Sequence, residues 1–355
     1  MSIDHLLNCK SVKWMESAKG QGDIVISSRI RLARNLRDIP FPQRLNQTTG
    51  EECLQKIKDA CQEEMPAALH KMEFTGFDQL SVWDLRILVE KHLISPGHAQ
   101  SNSAFRAIIL NEDGSLATMV NEEDHLRIQC LLPGLQLASG YDLAQQMDDY
   151  LESKLEYAFD ERRGYLTSCP TNVGTGLRAS VMLHLPAMQM TGQTSQILQN
   201  IGQLGMTVRG LYGEGTEVAG NFFQMSNQIT MGQSESEICN HLQAVTEQLV
   251  EQERLLRERL QVDLKYQLED KIGRAFGILN HARMINSTEA LALLSDVRLG
   301  IDLGILSGIQ ANALNTLIVA IRPAHLQKCA AQEMDAIQRD IKRAEVIQEQ
   351  IKGIK

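Results

Sequence analysis

Two textures of hydrophobic patterning meet near residue 240. Before it, short runs alternate apolar and polar positions: "DIVISSRIRL", "FRAIILNEDGSLATMV", "HLRIQCLL", "RASVMLHL" and "GMTVRGLYG". A period of two sends alternate side chains to opposite faces of a strand. "NEDG", between "FRAIIL" and "SLATMV", reads as a hairpin turn, because Asp-Gly readily supplies positive φ angles. Between the strands, segments 51–70, 141–160 and 194–205 carry apolar residues at helical spacing. Strands joined by hairpins, with helices interspersed, predict an α+β domain over residues 1–240, a mostly antiparallel sheet flanked by helices.

Beyond residue 240 the strand signal ends. Leu242, Val245, Leu249, Leu256, Leu260 and Leu264 recur at spacings of three, four and seven, which predicts one long helix over 235–270. Asn286 with Glu289 resembles a capping box and opens a further helix through "ALALLSDVRLGIDLGIL". Arg322-Pro323 interrupts the pattern, and a last helix runs from about Ala330 to Ile351. Residues 241–355 therefore read as an all-helical second domain. With no repeat or low-complexity linker between them, the two domains should abut. The long amphipathic helices carry more apolar surface than a small bundle buries, which predicts a homodimer through this region.

Composition refines this picture. Apolar residues are 43% and charged residues 22% of the 355, an ordinary globular balance, while aromatics at 5% leave the core to aliphatic side chains. No apolar run approaches the roughly 20 residues of a membrane span, and "MSIDHLLNCKSVKW" lacks a signal-peptide layout. Seven cysteines without a C-x-x-C pair suit a reducing cytoplasm and argue against a structural zinc site. A net charge of −9 argues against general nucleic-acid binding. Arginines concentrated in a few strands of an acidic chain point instead to a small anion.

Four stretches carry candidate chemistry. In "DIVISSRIRLARN", strand parity puts Ile24, Ile26, Ile30 and Leu32 on one face and Arg29 and Arg31 together on the other. Two same-face guanidiniums repel unless an anion lies between them, and their planar forks suit phosphate oxygens; the other reading is a solvated, basic edge strand. In "NEEDHLRIQC", a strand from Val120 to Cys130 would bury Leu126 and Ile128 and set Glu123, His125 and Arg127 on the opposite face. Glu122 and Asp124 fall out of step as turn residues, and the plain alternative is an acidic turn feeding an ordinary strand. "CPTNVGTGLRASVMLHLP" is a polar loop whose Gly174 and Gly176 permit close backbone approach to a ligand, with Arg178 at its exit. It does not match G-x-x-x-x-G-K-[ST], so no P-loop is present. In "VRGLYGEGTE", Arg209 leaves a strand and Glu214 sits between Gly213 and Gly215. Together these supply five arginines and two carboxylates, a set suited to a nucleoside triphosphate and a second, cationic reactant.

In that order, "SSRIRLARN", "NEEDHLRI", "CPTNVGTGLRASV" and "RGLYGEGTE" resemble the successive signatures of the ATP:guanidino phosphotransferases, the creatine and arginine kinase family. The resemblance covers residues 23 to about 240 and implies the family's glutamine-synthetase-like catalytic fold. By position it implies that ATP is held by Ser27, Ser28, Arg29, Ile30 and Arg31, by His92 of "VEKHLIS", by Arg127, by Arg178, Ala179, Ser180, Val181 and Met182, and by Arg209, Gly210, Leu211, Tyr212, Gly213 and Glu214. It further implies that Glu123 and Glu214 are the catalytic carboxylates gripping a guanidinium, that Cys169 is the active-site thiol, and that Mg2+ accompanies ATP.

Two departures narrow the expectation. The helical N-terminal domain that helps phosphagen kinases recognise a small guanidine is expected to be missing, and a helical C-terminal third stands in its place. There "RDIKRA" looks like a phosphoarginine-binding motif of the bacterial protein-arginine kinases, with Arg339, Asp340, Arg343 and Ala344 as its residues; read alone, it is an ordinary charged helix face. That branch implies a cytoplasmic stress-response kinase acting on protein arginines, including those of the CtsR repressor, switched on by an McsA-type activator and marking substrates for the ClpC–ClpP protease. A kinase of free arginine or another small guanidine, and a non-catalytic phosphoarginine-binding regulator, are the alternatives.

Overall fold

The computed structural model describes residues 3–18, 20–62, 65–69, 71–100, 105–210, 219–308, 311–330 and 333–352. Its strands are β1 Val25–Arg34, β2 Glu73–Gly76, β3 Ala107–Leu110, β4 Leu116–Val120, β5 Leu126–Pro133, β6 Phe159–Asp160, β7 Gly164–Tyr165, β8 Leu177–His184, β9 Met206–Gly210 and β10 Phe222–Asn227. Its α-helices are α1 Ile3–Asn8, α2 Gln47–Gln62, α3 Val82–Glu90, α4 Pro96–Gln100, α5 Leu137–Glu152, α6 Pro186–Met190 and α7 Thr194–Gln203, followed by α8 Glu235–Asp263, α9 Lys265–His281, α10 Ser287–Asp302, α11 Ala311–Ala320, α12 Pro323–Ala330 and α13 Ala336–Ile351.

Eight strands form one sheet in the order β2-β3-β4-β5-β1-β8-β10-β9, and every pairing in it is antiparallel. The α+β class and antiparallel sheet expected from the patterning are what is found. The longest strand, β1, lies at the centre because "VISSRIRLAR" can be covered on both faces. Ile30 and Leu32 enter the core cluster formed with α2, α5 and α8, and the other face carries Arg29 and Arg31. That second face packs against a different cluster, built from α1, α3 and the helices from α9 to α13. The C-terminal helices thus lie on the same side of the sheet as the arginines.

Helix starts follow local chemistry. Ser234 opens α8 with a full capping box to Glu237, and Asn286 caps α10 by accepting the Glu289 amide at 2.9 Å. Residue 240, where the texture changes, lies inside α8. Buried polar contacts seat this helix on the sheet domain: Glu253 accepts the amides of Ala187 and Met188 at 2.9 Å each and pairs with Arg257.

The structure corrects three local expectations. The long helix over 235–270 is two helices, because Leu264 at φ −129°, ψ 35° leaves helical space and α9 turns back along α10. Ile26 does not share a face with Ile30, since the β1–β8 register slips between Val25 and Ser27 and sends it to the other cluster. The stretch from Val120 to Cys130 is not one strand. It is a hairpin, with β4 ending at Val120, Asn121 at φ 56°, and its amide closing the turn onto His125 O at 2.9 Å.

Candidate functional site

Register brings the arginines together. Arg31 stands cross-strand from Arg178 on one side and Gln129 on the other, while Arg29 pairs with Ser180 and Leu131. Arg209 reaches the same face two strands further, opposite Gln224 on β10. Arg127, next to Gln129 in register on β5, completes the set. All five line a cavity of about 450 Å³, together with His92, Ser95, Met119, Gln224 and others. Like charges directly opposite each other in a ladder destabilise it, so this arrangement is costly without a counter-charge.

The polar contacts of Arg29 and Arg178 leave their charge unanswered. Arg29 donates to Gln224 Oε1 at 2.8 Å and to Ser180 Oγ at 3.4 Å, and Arg178 reaches Ser226 Oγ at 3.5 Å; these partners are neutral. The buried Nε atoms of Arg31 and Arg178 have no hydrogen-bond partner among the described residues. Burial, then the neighbouring guanidiniums of Arg178 and Arg127, pull Arg29 down to about 10. Arg31 is lowered further, by burial first and then by Arg29, Arg127 and Arg178.

Arg127 has carboxylate partners. It pairs with Glu122 at 2.8 Å and with Glu123. Glu122 is the more enclosed of the two, its side chain 10% exposed against 40% for Glu123. It also accepts the Ser95 hydroxyl at 2.6 Å and the Glu123 amide at 2.8 Å. Burial works to raise the Glu122 carboxyl, but Arg127, Ser95 and the Glu123 amide together hold it below the usual carboxylate range. The expectation that Glu122 is a bystander of the turn is therefore wrong: it is the anchor of Arg127, and it leaves Glu123 at the turn with a freer carboxylate.

Asp124 is also misread as an idle turn residue. Its buried carboxylate accepts Asn35 Nδ2 at 2.7 Å and the Ser168 amide at 2.7 Å, so it ties the Glu123 turn to the loop that presents Cys169. His125 does not stand beside Arg127. It is fully buried, accepts the Leu36 amide through Nδ1 at 3.0 Å and contacts Pro40 O through Nε2, so it is a neutral bracket held down to about 4 by burial. Cys169 is half-buried with Sγ 3.0 Å from Thr171 Oγ1, and both it and Glu123 act on the charge of Arg178. The glycines of this loop serve the fold. A side chain on Gly174 (φ 111°) would meet Thr230 O at 2.3 Å, and one on Gly176 (φ 64°) would meet Ala33 O at 2.6 Å, so what approaches them is the protein's own backbone.

His92 lines the same cavity. At φ 61° it leaves α3 in a left-handed turn, offers its carbonyl to Gln129 Nε2 at 2.8 Å, and meets Trp14 edge-on at 5.4 Å. Burial, then Arg29 and Arg322, keep its ring neutral, at about 3. Ser27, Ser180 and Met182 line a small pocket beside it. The remaining expected nucleotide residues are placed elsewhere. Ile30, Ala179 and Val181 point into the core on the opposite face, and Ser28 is buried, bonded to Gly134 O at 2.6 Å. Gly210 reaches the cavity, but Leu211, Tyr212, Gly213 and Glu214 lie outside the described residues.

In "RDIKRA", Arg343 is 3% exposed and its donors are committed: Nε to Ile321 O at 3.0 Å, and Nη1 to Ile285 O at 2.8 Å and to Asp340. Ala344 is buried in the core beneath it. Arg339, half-buried, makes no side-chain hydrogen bond or ion pair among the described residues. Sequence reasoning missed Arg322, which lines the cavity from the far C-terminal region. Its only signal was a helix break at Arg-Pro, which carries no chemical hint.

Residues 52–256 match the sequence model of the family described as ATP:guanido phosphotransferase, C-terminal catalytic domain, and residues 265–355 match that of the Protein-arginine kinase McsB C-terminal domain. The chain is 60% identical over 352 residues to a protein-arginine kinase of Syntrophomonas wolfei, covering 99% of this chain and 98% of that one. It is 50% identical over 345 residues to a protein-arginine kinase of Moorella thermoacetica, covering 97% and 98%. Among solved structures it resembles the substrate-free duplicated taurocyamine kinase of Schistosoma mansoni, with a TM-score of 0.59 and 27% identity over 69% of this chain and 36% of that one.

Proposed function

This chain belongs to the protein-arginine kinases of the ATP:guanido phosphotransferase family, and from that premise we propose how its cavity performs the transfer of a phosphoryl group from ATP to arginine side chains of proteins. The observation that carries the reading is the cluster of five guanidiniums on one sheet face, in which Arg29 and Arg178 bond neutral partners and the buried Nε of Arg31 has none among the described residues. A triphosphate supplies the missing charge, and the cluster meets it already folded, so no reorganisation is needed when charge spreads over the transferred phosphoryl oxygens. No group of three metal-ligating side chains occurs among the described residues. Mg2+ bound with the triphosphate would supply further charge neutralisation beside the arginines.

The acceptor is a guanidinium with a pKa above ~12, a poor nucleophile until it is oriented and relieved of a proton. Glu123 sits at the rim of the phosphate cluster, and its carboxylate is matched in shape to two N–H donors of such a group. Glu214, for which the family resemblance implies the same role, acts as its partner. Together they hold one nitrogen in line with the γ-phosphorus. The Asp124 bridge to the Ser168 amide ties the Cys169 loop to the Glu123 turn, which supports a role for the thiol beside the acceptor.

The wider role follows from the same kinship: a cytoplasmic enzyme of the stress response, active as a homodimer, switched on by an McsA-type activator, and phosphorylating arginines of the CtsR repressor and of damaged proteins for the ClpC–ClpP protease. The test compares an arginine-rich protein with free L-arginine as acceptor, reading acid-labile phosphate. Protein labelling in preference to free arginine supports the reading. Preference for free arginine would make this a small-guanidine kinase, and labelling of neither, with phosphoarginine still bound, would make it a non-catalytic regulator.

A further inference from the structure

One wall of the cavity comes from outside the sheet. Arg322, the residue before Pro323 opens α12, lines it beside Val89, His92 and Ser95. Two anchors fix its position. On one side Glu90, which ends α3 two residues before His92, accepts the amides of Ala324 at 2.8 Å and His325 at 3.0 Å and meets the His325 ring Nδ1 at 2.6 Å. On the other, the carbonyl of fully buried Ile321 accepts from Arg343 Nε at 3.0 Å, and the same guanidinium is held to Ile285 O and Asp340. Arg322 is therefore clamped between the helix that delivers His92 and the helix that carries "RDIKRA".

The end of the cavity it occupies can be read from its neighbours. The charges acting on His92 are those of Arg29 and Arg322, whereas those acting on Arg29 are Arg178 and Arg127. His92 lines both this cavity and the smaller pocket it shares with Ser27, Arg29 and Met182, so it borders the phosphate cluster as well as Arg322. A triphosphate seated on the cluster extends its nucleoside past His92, and a planar guanidinium is well suited to stack on a purine base.

We propose that Arg322 is a nucleotide-specificity residue, supplied by the C-terminal helices, that contacts the base of ATP rather than its phosphates. This rests on the reading of the arginine cluster as the triphosphate site. Because Arg322 is anchored through Glu90 and Arg343, nucleoside affinity also depends on how those helices sit against α3.

Calorimetric binding to the full-length protein tests it without turnover, using ATP and inorganic tripolyphosphate as separate ligands. Arg322→Ala should weaken ATP about tenfold, between the exposed and the desolvated range of a cation–π contact, and change tripolyphosphate less than about twofold. Equal weakening of both ligands would place Arg322 in the phosphate cluster and overturn the proposal, as would unchanged ATP affinity. Glu90→Gln, which loosens the start of α12 without touching the cavity, should give the same selective loss at about threefold; it carries the test if Arg322→Ala fails to fold, and unchanged ATP affinity in it would then count against the proposal. Failure of the wild-type protein to bind tripolyphosphate would instead refute the cluster reading itself.

Discussion

Replacing Glu122 by Gln removes one negative charge from beneath Arg127 while keeping the shape. Arg127 and Glu122 are 11% and 10% exposed and 2.8 Å apart, and the carboxylate also holds Ser95 and the Glu123 amide. Breaking a fully buried pair costs about 3–5 kcal/mol. Here Gln can keep one or two of the hydrogen bonds and Arg127 retains Glu123, so the loss should be roughly 2 kcal/mol. For a unit the size of the sheet domain, that lowers the thermal midpoint by roughly 4–8 °C. The same substitution leaves the five-arginine cluster with less counter-charge, so ATP should raise the midpoint more in the variant than in the wild type. Thermal unfolding with and without ATP measures both quantities. A loss below about 0.5 kcal/mol would mean that Glu122 is not the anchor of Arg127. An ATP-induced rise no larger than in the wild type would refute the view that the cluster is short of negative charge.

Other outcomes follow from the same contacts. Arg343→Ala should cost roughly 2–4 kcal/mol in thermal unfolding, because Ile285 O and Ile321 O lose their buried donor; Arg339→Ala should cost less than about 0.5 kcal/mol yet abolish phosphoarginine binding, and the reverse ranking would contradict this division of labour within "RDIKRA". Burial holds His92 at about 3 and His98 and His125 at about 4. The unfolded chain takes up protons near pH 6.5 that the folded state refuses, so stability should fall as pH drops below that value, by roughly 3–4 kcal/mol between pH 7 and 5.5. A flat stability profile over that interval, from denaturation at fixed ionic strength, would show these rings to be accessible to protons in the folded state.

Much of the site was legible because strand parity is a strong constraint. The alternation in "SSRIRL" places Arg29 and Arg31 on one face, and the register then sets Arg178 opposite Arg31. Parity failed where its premise of continuous extended backbone failed: at the slip before Ser27, which turns Ile26 over, and at the Asn121–His125 turn, which gives Glu122 and Asp124 contacts that no alternation predicts. The short strands β2 and β10 escaped notice because "EFTG" and "FFQMSN" are too brief and too mixed to show a period. Contacts between distant segments, such as Glu90 with α12 or Arg343 with Ile321, leave no trace in spacing at all. They depend on which helices the sheet face gathers.

The central claim is that Glu123 orients and helps deprotonate an acceptor arginine beside a triphosphate held by the arginine cluster. Glu123→Gln measures it most directly, with ATP affinity followed by calorimetry and phosphoarginine on an arginine-rich protein followed as acid-labile label. Retained ATP affinity, within about threefold, with labelling reduced at least about a hundredfold, is the predicted result. Labelling within a few-fold of the wild type would contradict the mechanism and return the carboxylate to the role of a turn residue.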